Sequence, residues 1–259
     1  RLRPSTYMQA KMLAEEAAKL PAKRWVTVAP NYEYGQSAVE NFKAALKELR
    51  PDVEFVGEQW PALGKIEAGV TVQALLRERP DAIYNVTFGA DLAKFVREGS
   101  LRGLFDDRSV VSLLTGEPEY LLPLGAEAPE GWIVIGYPFD QIDTPEHDKF
   151  AEAYRASFNE EPMVGSIVGY TTMKSIAAAL DKAGSTDAGA IIEALSGLEV
   201  DSPFGPIVYR SADHQSTLGA FVGRTAVVDG QPRMVDWHYA KGGDYLPGGD
   251  EAAAMRPAN

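Results

Sequence analysis

Apolar runs that alternate with amphipathic helical segments fill the first half of the chain, and this rhythm limits the folds it can adopt. Five runs have the length and composition of buried strands, at residues 24–29, 53–56, 82–86, 109–114 and 132–135. After the first run, Val39, Phe42, Leu46 and Leu49 recur on one helix face, and Pro51 ends that helix. Strands that alternate with helices predict a parallel sheet with helices on both faces, an α/β fold.

Three further helices in this half are predicted from caps and breakers. Ser5 precedes an apolar stripe that ends before Pro21, and residues 70–79 form the next helix. A third helix, which carries Leu92, is predicted to stop at Gly99.

The pattern changes after Pro138, where helices follow one another without strands. Thr144 begins one helix, residues 164–183 form the next, and Thr186 caps a third. These helices bring no sheet of their own to pack on.

The end of the chain returns to strand periodicity. Residues 218–228 and 234–239, joined by Asp229-Gly230, predict a β-hairpin. The polar segment 242–259 is predicted to be irregular.

Composition removes several classes of function. Lys and Arg total 25 and Asp and Glu total 37, which gives a formal net charge of −12 and disfavours binding to nucleic acid or to anionic membranes. The chain has no cysteine, and this excludes thiolate metal sites, cysteine nucleophiles and disulfides. His147, His214 and His238 do not have a metal-ligand spacing, so neither a metal nor another cofactor is predicted.

Signatures of catalysis are missing from the sequence. It contains no G-x-S-x-G nucleophile elbow, no phosphate-binding loop and no H-E-x-x-H motif. Asp213-His214 resembles an acid–base pair but lies in a polar turn, for which a turn-forming role is favoured. We expect His147 to be solvated in the first turn of a helix and His238 to be structural. An enzyme is therefore not predicted; a hydrolase whose turnover depends on Asp213 or His214 is kept as a rival hypothesis.

Ligands of an open parallel sheet bind where loops leave the carboxyl ends of its strands. Four loops qualify here, at residues 30–36, 86–89, 114–117 and 136–139. They offer the rings of Tyr32, Tyr34 and Phe88 together with hydroxyls and backbone N–H groups, which suit a small, partly apolar ligand. Structural roles stay open for these residues. Tyr34 and Phe88 are also typical of residues that pack in a loop or in the core, and Thr87 and Thr115 are typical of helix caps.

The chain resembles a known family. The segments that carry the resemblance are residues 25–48 with Asn31-Tyr32-Glu33-Tyr34-Gly35-Gln36, residues 81–89, residues 170–180, residues 202–206, Asp213-His214-Gln215 and the final hairpin. Together they resemble the substrate-binding proteins of branched-chain amino acid ABC importers, which are periplasmic binding proteins of the type I fold. The resemblance implies an extracytoplasmic protein, its signal peptide removed, that binds a small amino acid or carboxylate between two lobes and delivers it to a membrane permease. A ligand-sensing domain of a receptor or regulator with the same fold is the alternative.

The family's arrangement also implies a domain division. Residues 1–140 correspond to the carboxyl-terminal ligand-binding lobe, and residues 141–210 to helices and a strand of an amino-terminal lobe whose first roughly 120 residues are absent here. Residues 211–259 form the returning hairpin and tail. The apolar stripes of the orphan helices would then be exposed, which predicts a companion amino-terminal fragment or self-association.

Six ligand-binding residues are carried over by position from the resemblance. They are Tyr34, whose ring packs on the ligand, Thr87, Phe88, Leu114, Thr115 and Ile167. Amino acid binders of the family place an acidic residue near Thr115 to pair with the ligand ammonium. This chain departs from that pattern, because it has Thr115 there, with Glu117 two residues later as the possible substitute. An aromatic or aliphatic acid is therefore expected alongside an amino acid.

Overall fold

The computed structural model describes residues 1–255, which form two compact units. The sheet unit comprises residues 9–138 and 221–239. The helical unit comprises residues 1–8, 139–220 and 240–255.

The strands of the described chain build two sheets. They are β1 (Arg24–Val28), β2 (Glu54–Gln59), β3 (Ala82–Asn85), β4 (Ser109–Gly116), β5 (Ile133–Gly136), β6 (Glu199–Ser202), β7 (Gly205–Val208), β8 (Ala220–Val228) and β9 (Gln231–Ala240). The larger sheet has the order β2-β1-β3-β4-β5-β8-β9. Its first five strands are parallel, and β8 pairs antiparallel with β5. The predicted parallel sheet is confirmed, and the predicted hairpin extends its edge.

Helices connect the parallel strands in the order that the sequence predicts. Those of the described residues are α1 (Thr6–Ala18), α2 (Glu33–Leu49), α3 (Ala68–Arg77), α4 (Gly89–Leu101), α5 (Pro118–Leu121), α6 (Pro145–Phe158), α7 (Val164–Ala183), α8 (Ala188–Leu195) and α9 (Gly249–Ala254), with 3₁₀ turns at Leu122–Glu127 and Gly242–Tyr245. Ser5 accepts a hydrogen bond from the Met8 N–H at 3.3 Å, as predicted for the cap of the first helix.

The core of the sheet unit lies between the sheet and these helices. Phe42 of α2 stacks on Tyr84 of β3 with ring centroids 3.9 Å apart, and it also packs against Trp25 of β1. All three side chains are buried. Complete burial of large aromatic side chains supplies much of the stabilisation that fixes α2 on this face.

The sequence predicted that helix α4 stops at Gly99, but the helix continues to Leu101. A Cβ atom at Gly99 would lie 2.3 Å from the Phe105 ring. The Phe105 ring itself packs against Phe95 and Trp132. The glycine is therefore required by close packing and not by a helix end.

Two caps in the helical unit test the sequence predictions. Thr144 accepts a hydrogen bond from the His147 N–H, which confirms the predicted start of α6. In α8 the cap is Asp187, which accepts from the Ala190 N–H at 3.1 Å, and not Thr186 as predicted. The carboxylate of Asp187 reaches the first turn from one position closer to the helix.

The sequence predicted a solvated His147, but the residue is buried, with 1% of its surface exposed. Its ring lies nearly parallel to that of Phe204 at a centroid distance of 6.5 Å. Burial lowers the pKa of His147, because the charged imidazolium loses its hydration.

A small hairpin gives the helices of this unit a sheet to pack on. Strands β6 and β7 pair antiparallel, and Val200 and Ile207 form a core cluster with Ala179 of α7. The Tyr209 hydroxyl donates to Ser175 Oγ at 2.9 Å. The three helices follow one another without a strand, as predicted, but the expectation that this stretch supplies no sheet for them is wrong. Strands of four residues carry too little periodicity to be recognised.

The chain beyond the last strand is not wholly irregular as predicted. It contains a 3₁₀ turn and α9, and the Tyr7 hydroxyl donates to the Glu251 carboxylate at 2.9 Å. Positions 256–259, also predicted to be irregular, lie outside the described residues.

One face of α7 is apolar and exposed. Tyr170, Met173 and Ile176, at helical spacing, have 43%, 64% and 46% of their surface accessible. The exposure of this stripe agrees with the sequence prediction for these helices. Within residues 1–255 no helix combines the length and the apolar character that crossing a membrane requires.

Candidate ligand-binding site

The sheet has a topological switch point at its carboxyl edge. From β1 the chain runs to β2 on one side, whereas β3 lies on the other side of β1 and leads away to β4. Connections that diverge from neighbouring parallel strands leave a crevice outside their carboxyl ends, and ligands of such sheets bind there. The first turn of α2, which carries Tyr34, and the loop after β3, which carries Thr87 and Phe88, open onto this crevice.

Four aromatic rings form a continuous wall along the edge. Tyr32 and Tyr34 have centroids 5.9 Å apart, Tyr34 meets Phe88 edge-on at 6.2 Å, and Phe88 lies 5.9 Å from Tyr120. We call these four residues the aromatic wall. It crosses the switch point from α2 to α4 and on to α5. Phe88 and Tyr34 are only partly buried, so their rings remain accessible to a ligand.

Tyr34 belongs to the first turn of α2 and not to a loop before it, since the helix begins at Glu33. The Pro30 carbonyl accepts the Tyr32 N–H at 2.8 Å, and Asn31 donates its N–H to the Pro61 carbonyl at 2.8 Å. These bonds fix the entry to the helix. The position of the Tyr34 ring is therefore set by regular backbone structure.

Below the wall, a buried hydrogen-bond network joins the ends of β3 and β4. Asn85 donates to Ser112 Oγ at 2.8 Å, and Ser112 Oγ lies 2.6 Å from Thr115 Oγ1. Thr87 donates both its hydroxyl, at 2.7 Å, and its N–H, at 3.1 Å, to the Asn85 side chain. We call Asn85, Thr87, Ser112 and Thr115 the hydroxyl network. All four are at most 1% exposed, so their polar groups bond chiefly to one another.

Two helix N-termini at the edge provide donors for an anion, while Glu33 and Asp91 in their first turns offset part of the positive potential. Helices α2 and α4 both begin there, with Tyr32 and Phe88 as N-cap residues. Among the described residues, neither of these two side chains bonds to the first turn of its helix. Backbone N–H groups and the positive end of the helix dipole at such a terminus attract a carboxylate or a phosphate.

Asp213 and His214, the other candidate groups of the sequence, lie in a turn that an ion pair holds. Asp213 accepts a bidentate ion pair from Arg210 and the Gln215 N–H at 3.0 Å. The Arg210 guanidinium lowers the pKa of Asp213 to about 2. His214 has a φ of 56°, a turn conformation. Residues 1–255 contain no group of three or more His, Asp or Glu side chains arranged to hold a metal ion.

The sequence profile of the family described as "Periplasmic binding protein" matches residues 1–231 of the chain. The chain belongs to the periplasmic binding protein family. Its mostly parallel sheet and the α/β arrangement confirm the predicted type I fold of that family.

Solved structures of periplasmic binding proteins share this fold. An amino acid ABC transporter substrate-binding protein from Pseudomonas fluorescens Pf-5 is 20% identical, with a TM-score of 0.78 over 96% of this chain and 67% of that one. A leucine-, isoleucine-, valine-, threonine- and alanine-binding protein from Brucella ovis is 20% identical, with a TM-score of 0.77 over 93% and 64%. An ABC transporter solute-binding protein from R. palustris in complex with benzoate is 18% identical, with a TM-score of 0.73 over 91% and 64%. The chain thus spans about two thirds of the length of these proteins.

In this periplasmic binding protein the predicted site residues fall into different environments. Tyr34 and Phe88 form part of the aromatic wall, whereas the hydroxyls of Thr87 and Thr115 belong to the hydroxyl network. Leu114, 8% exposed, also lies near the end of β4. Ile167, 1% exposed, lies in the first turn of α7 and belongs to the helical unit.

Sequence reasoning missed Tyr120, Asn85 and Ser112. Tyr120 lies in α5, directly after the predicted loop 114–117, so its closeness to that loop was a usable signal. Asn85 and Ser112 are in register on neighbouring strands. Their pairing depends on which strands lie side by side, and periodicity alone does not give that order.

Proposed function

We propose that the chain is a solute-binding component of an ABC importer that binds a small carboxylate at the carboxyl edge of its sheet unit. The aromatic wall at the switch point is the observation that carries this proposal. It lies where an open α/β sheet binds its ligand, and two helices direct their positive ends to the same edge.

The chemistry of the edge supports a ligand with a carboxylate and an apolar body. Rings of Tyr34 and Phe88 offer apolar faces and edges, while the N-termini of α2 and α4 offer N–H donors. The hydroxyls of Thr87 and Thr115 are already bonded within the protein and add little polar surface. Benzoate, bound by one structural relative, and the aliphatic amino acids for which another is named both fit this description.

Glu117 is the side chain that would discriminate between these two ligand classes. It stands at the end of β4, is 4% exposed and is the N-cap residue of α5. We propose that it pairs with the ammonium of the ligand if the ligand is an amino acid. An aromatic acid would bind without it.

The proposed role places the protein outside the cytoplasm, with a membrane permease as its partner. The family supports an extracytoplasmic location. We also propose that residues 141–210 belong to a second lobe, and that the exposed stripe of Tyr170, Met173 and Ile176 is covered by further chain of that lobe or by a second copy. Native mass spectrometry of the purified protein distinguishes a companion fragment, a homodimer and an isolated chain.

Substitution of Tyr34 tests the binding site. A thermal-shift screen of L-amino acids and benzoates on the full-length gene product identifies the ligand, and calorimetric titration then gives its Kd. Tyr34→Ala is expected to weaken binding by about 1–3 kcal/mol, which is the effect of losing an aromatic anchor.

Tyr154→Ala is the matched control, because this tyrosine packs on Phe150 and Phe158 within the helical unit. It removes the same side chain without touching the aromatic wall. Equal Kd values for wild type, Tyr34→Ala and Tyr154→Ala would contradict the assignment of the site. A folded wild-type protein that binds no carboxylate would contradict the proposed ligand class.

A further inference from the structure

Two hydroxyl groups are buried beneath α2 without a hydrogen-bond partner among the described residues. They are Thr27 Oγ1 of β1 and the phenol oxygen of Tyr84 of β3. Thr27 is 1% exposed and Tyr84 is completely buried. The two residues are in register on adjacent parallel strands, so their side chains point to the same face of the sheet.

The geometry prevents either group from reaching water by a small movement. The Tyr84 ring is stacked on Phe42 at 3.9 Å and 6°, and this holds its hydroxyl in place. Thr27 has a β-branched side chain, which has few alternative rotamers. Nearby, the Trp25 Nε1–H also lacks a partner within residues 1–255, but its ring packs on Phe42 and Phe55, whose faces can accept an N–H. The two hydroxyls have no such substitute.

Buried hydroxyls in folded proteins bond to protein groups or to internal water, because leaving them unpaired loses their solvation without replacement. Internal waters occupy polar pockets in which they make two to four hydrogen bonds. Thr27 and Tyr84 each provide a donor and acceptors on one face. They do not bond to each other, so a molecule that accepts from one and donates to the other can satisfy both.

The position of this pair relates it to the aromatic wall. Tyr34, in the first turn of the helix that covers the pair, acts electrostatically on the Tyr84 phenol. Burial chiefly, and this interaction to a smaller extent, raises the pKa of Tyr84 well above its usual value. Tyr84 therefore stays neutral and keeps its proton for a hydrogen bond at any physiological pH.

We propose that a water molecule is bound in the core of the sheet unit by Thr27 and Tyr84, and that these two are positioning residues for Tyr34. The water fills the polar space under the first turn of α2 and supports the Tyr34 ring from below. The positioning role rests on the proposed function of Tyr34, whereas the water site does not.

Two isosteric variants test the water site by the sign of their effect on stability. Tyr84→Phe keeps the stacked ring and Thr27→Val keeps the branched shape. If a water bridges the two hydroxyls, each variant is expected to raise the equilibrium constant of unfolding roughly 5-fold. The increase in the unfolding constant of the double variant is then expected to be smaller than the product of the two single increases, since both substitutions act on the same water. If the hydroxyls are unsatisfied, removing one relieves a penalty, and a variant as stable as wild type or more stable would overturn the proposal.

Tyr209→Phe provides the calibration, because it removes a buried phenol with an identified protein partner, Ser175. Its loss of stability is the value expected for a satisfied hydroxyl. A crystal structure at high resolution gives the direct observation. Ordered density within hydrogen-bond distance of both hydroxyl oxygens supports the water, and the absence of such density between them overturns it.

Titration with benzoate and with L-leucine tests the positioning role. Tyr84→Phe is expected to weaken the binding of whichever probe the wild type binds about 3- to 10-fold, and Tyr209→Phe to leave it unchanged. Lower stability with an unchanged Kd would overturn the positioning role. A wild type that binds neither probe counts against the proposed function, whereas the stability comparison still decides on the water.

Discussion

Replacement of Gly35 by alanine is expected to destabilise the protein although Gly35 lies in a helix. Gly35 occupies the first turn of α2, where a Cβ atom would stand 2.1 Å from the Pro30 carbonyl oxygen. Contacts of real Cβ atoms below 3.0 Å are essentially unknown, so the two groups must separate by at least 0.9 Å. The Pro30 oxygen cannot yield freely, because it accepts the Tyr32 N–H at 2.8 Å, and the next residue is bonded to Pro61.

The size of the effect follows from opposing contributions. Alanine gains about 1 kcal/mol over glycine in a helix. Forcing an extra carbon into a filled space costs about 1–3 kcal/mol, and weakening the Tyr32 hydrogen bond costs about 1 kcal/mol more. We expect a net destabilisation of about 1–3 kcal/mol. Gly169 of α7 is the matched control, because its added Cβ would meet no atom within 4 Å. Gly169→Ala should therefore stabilise its helix by about 0.5–1 kcal/mol.

Urea denaturation measures both variants. All four tryptophans, residues 25, 60, 132 and 237, lie in the sheet unit, so fluorescence reports the unfolding of the unit that contains Gly35. Circular dichroism at 222 nm reports the helices of both units, including α7 with Gly169, so a transition that it shows and fluorescence does not is assigned to the helical unit. A Gly35→Ala protein as stable as wild type would refute the reasoning, because it would mean that the Pro30 carbonyl is not held against the first turn and that the entry to α2 is not rigid.

Two pH dependences follow from the charged and buried groups of the helical unit. Arg210 lowers the pKa of Asp213 to about 2, so this carboxylate stabilises the fold above pH 4 and loses its effect as the pH falls from about 4 to about 2. Asp213→Asn should therefore lower the free energy of unfolding by at most about 2 kcal/mol at pH 7. Urea titrations should show that the difference between variant and wild type shrinks between pH 4 and pH 2. Burial lowers the pKa of His147, so the unfolded chain takes up a proton first and wild type loses stability as the pH falls below about 6.5. His147→Asn should flatten this slope between pH 7 and pH 5, and equal slopes for wild type and variant would contradict the buried, neutral imidazole.

The strands and helices of the first half were predictable because each apolar run is long enough to show its period. Residues 164–183 were predicted as a helix with the bounds that α7 has, since Gly184 ends it in a left-handed conformation. Strands β6 and β7 were not predictable, because four residues carry two alternations at most and Pro206 falls inside the second strand. The helix end predicted at Gly99 is wrong for a different reason, because in the sequence a glycine that makes room for a ring looks like one that ends a helix.

The candidate site was predictable to the level of strand ends. Placing Tyr34 and Phe88 at one edge required only that the strands be parallel, which the apolar runs indicate. Adding Tyr120 to the wall required the path of the loop after β4, and recognising Asn85 and Ser112 required the strand order. The sequence identifies which residues reach the edge, but the three-dimensional register decides which of their groups remain available.

Which groups remain available bears on how the proposed site gains affinity for its ligand. Thr87 and Thr115 have the residue type and position of ligand contacts, yet their hydroxyls are bonded to Asn85 and Ser112. The network holds the ends of β3 and β4 together, and so it fixes the start of α4 and the Phe88 ring before a ligand arrives. Groups that are already ordered lose little conformational freedom on binding, and this raises affinity without adding a contact. In the binding site that we propose, the threonines therefore keep the aromatic wall rigid, and recognition is left to the rings and to the backbone N–H groups of α2 and α4.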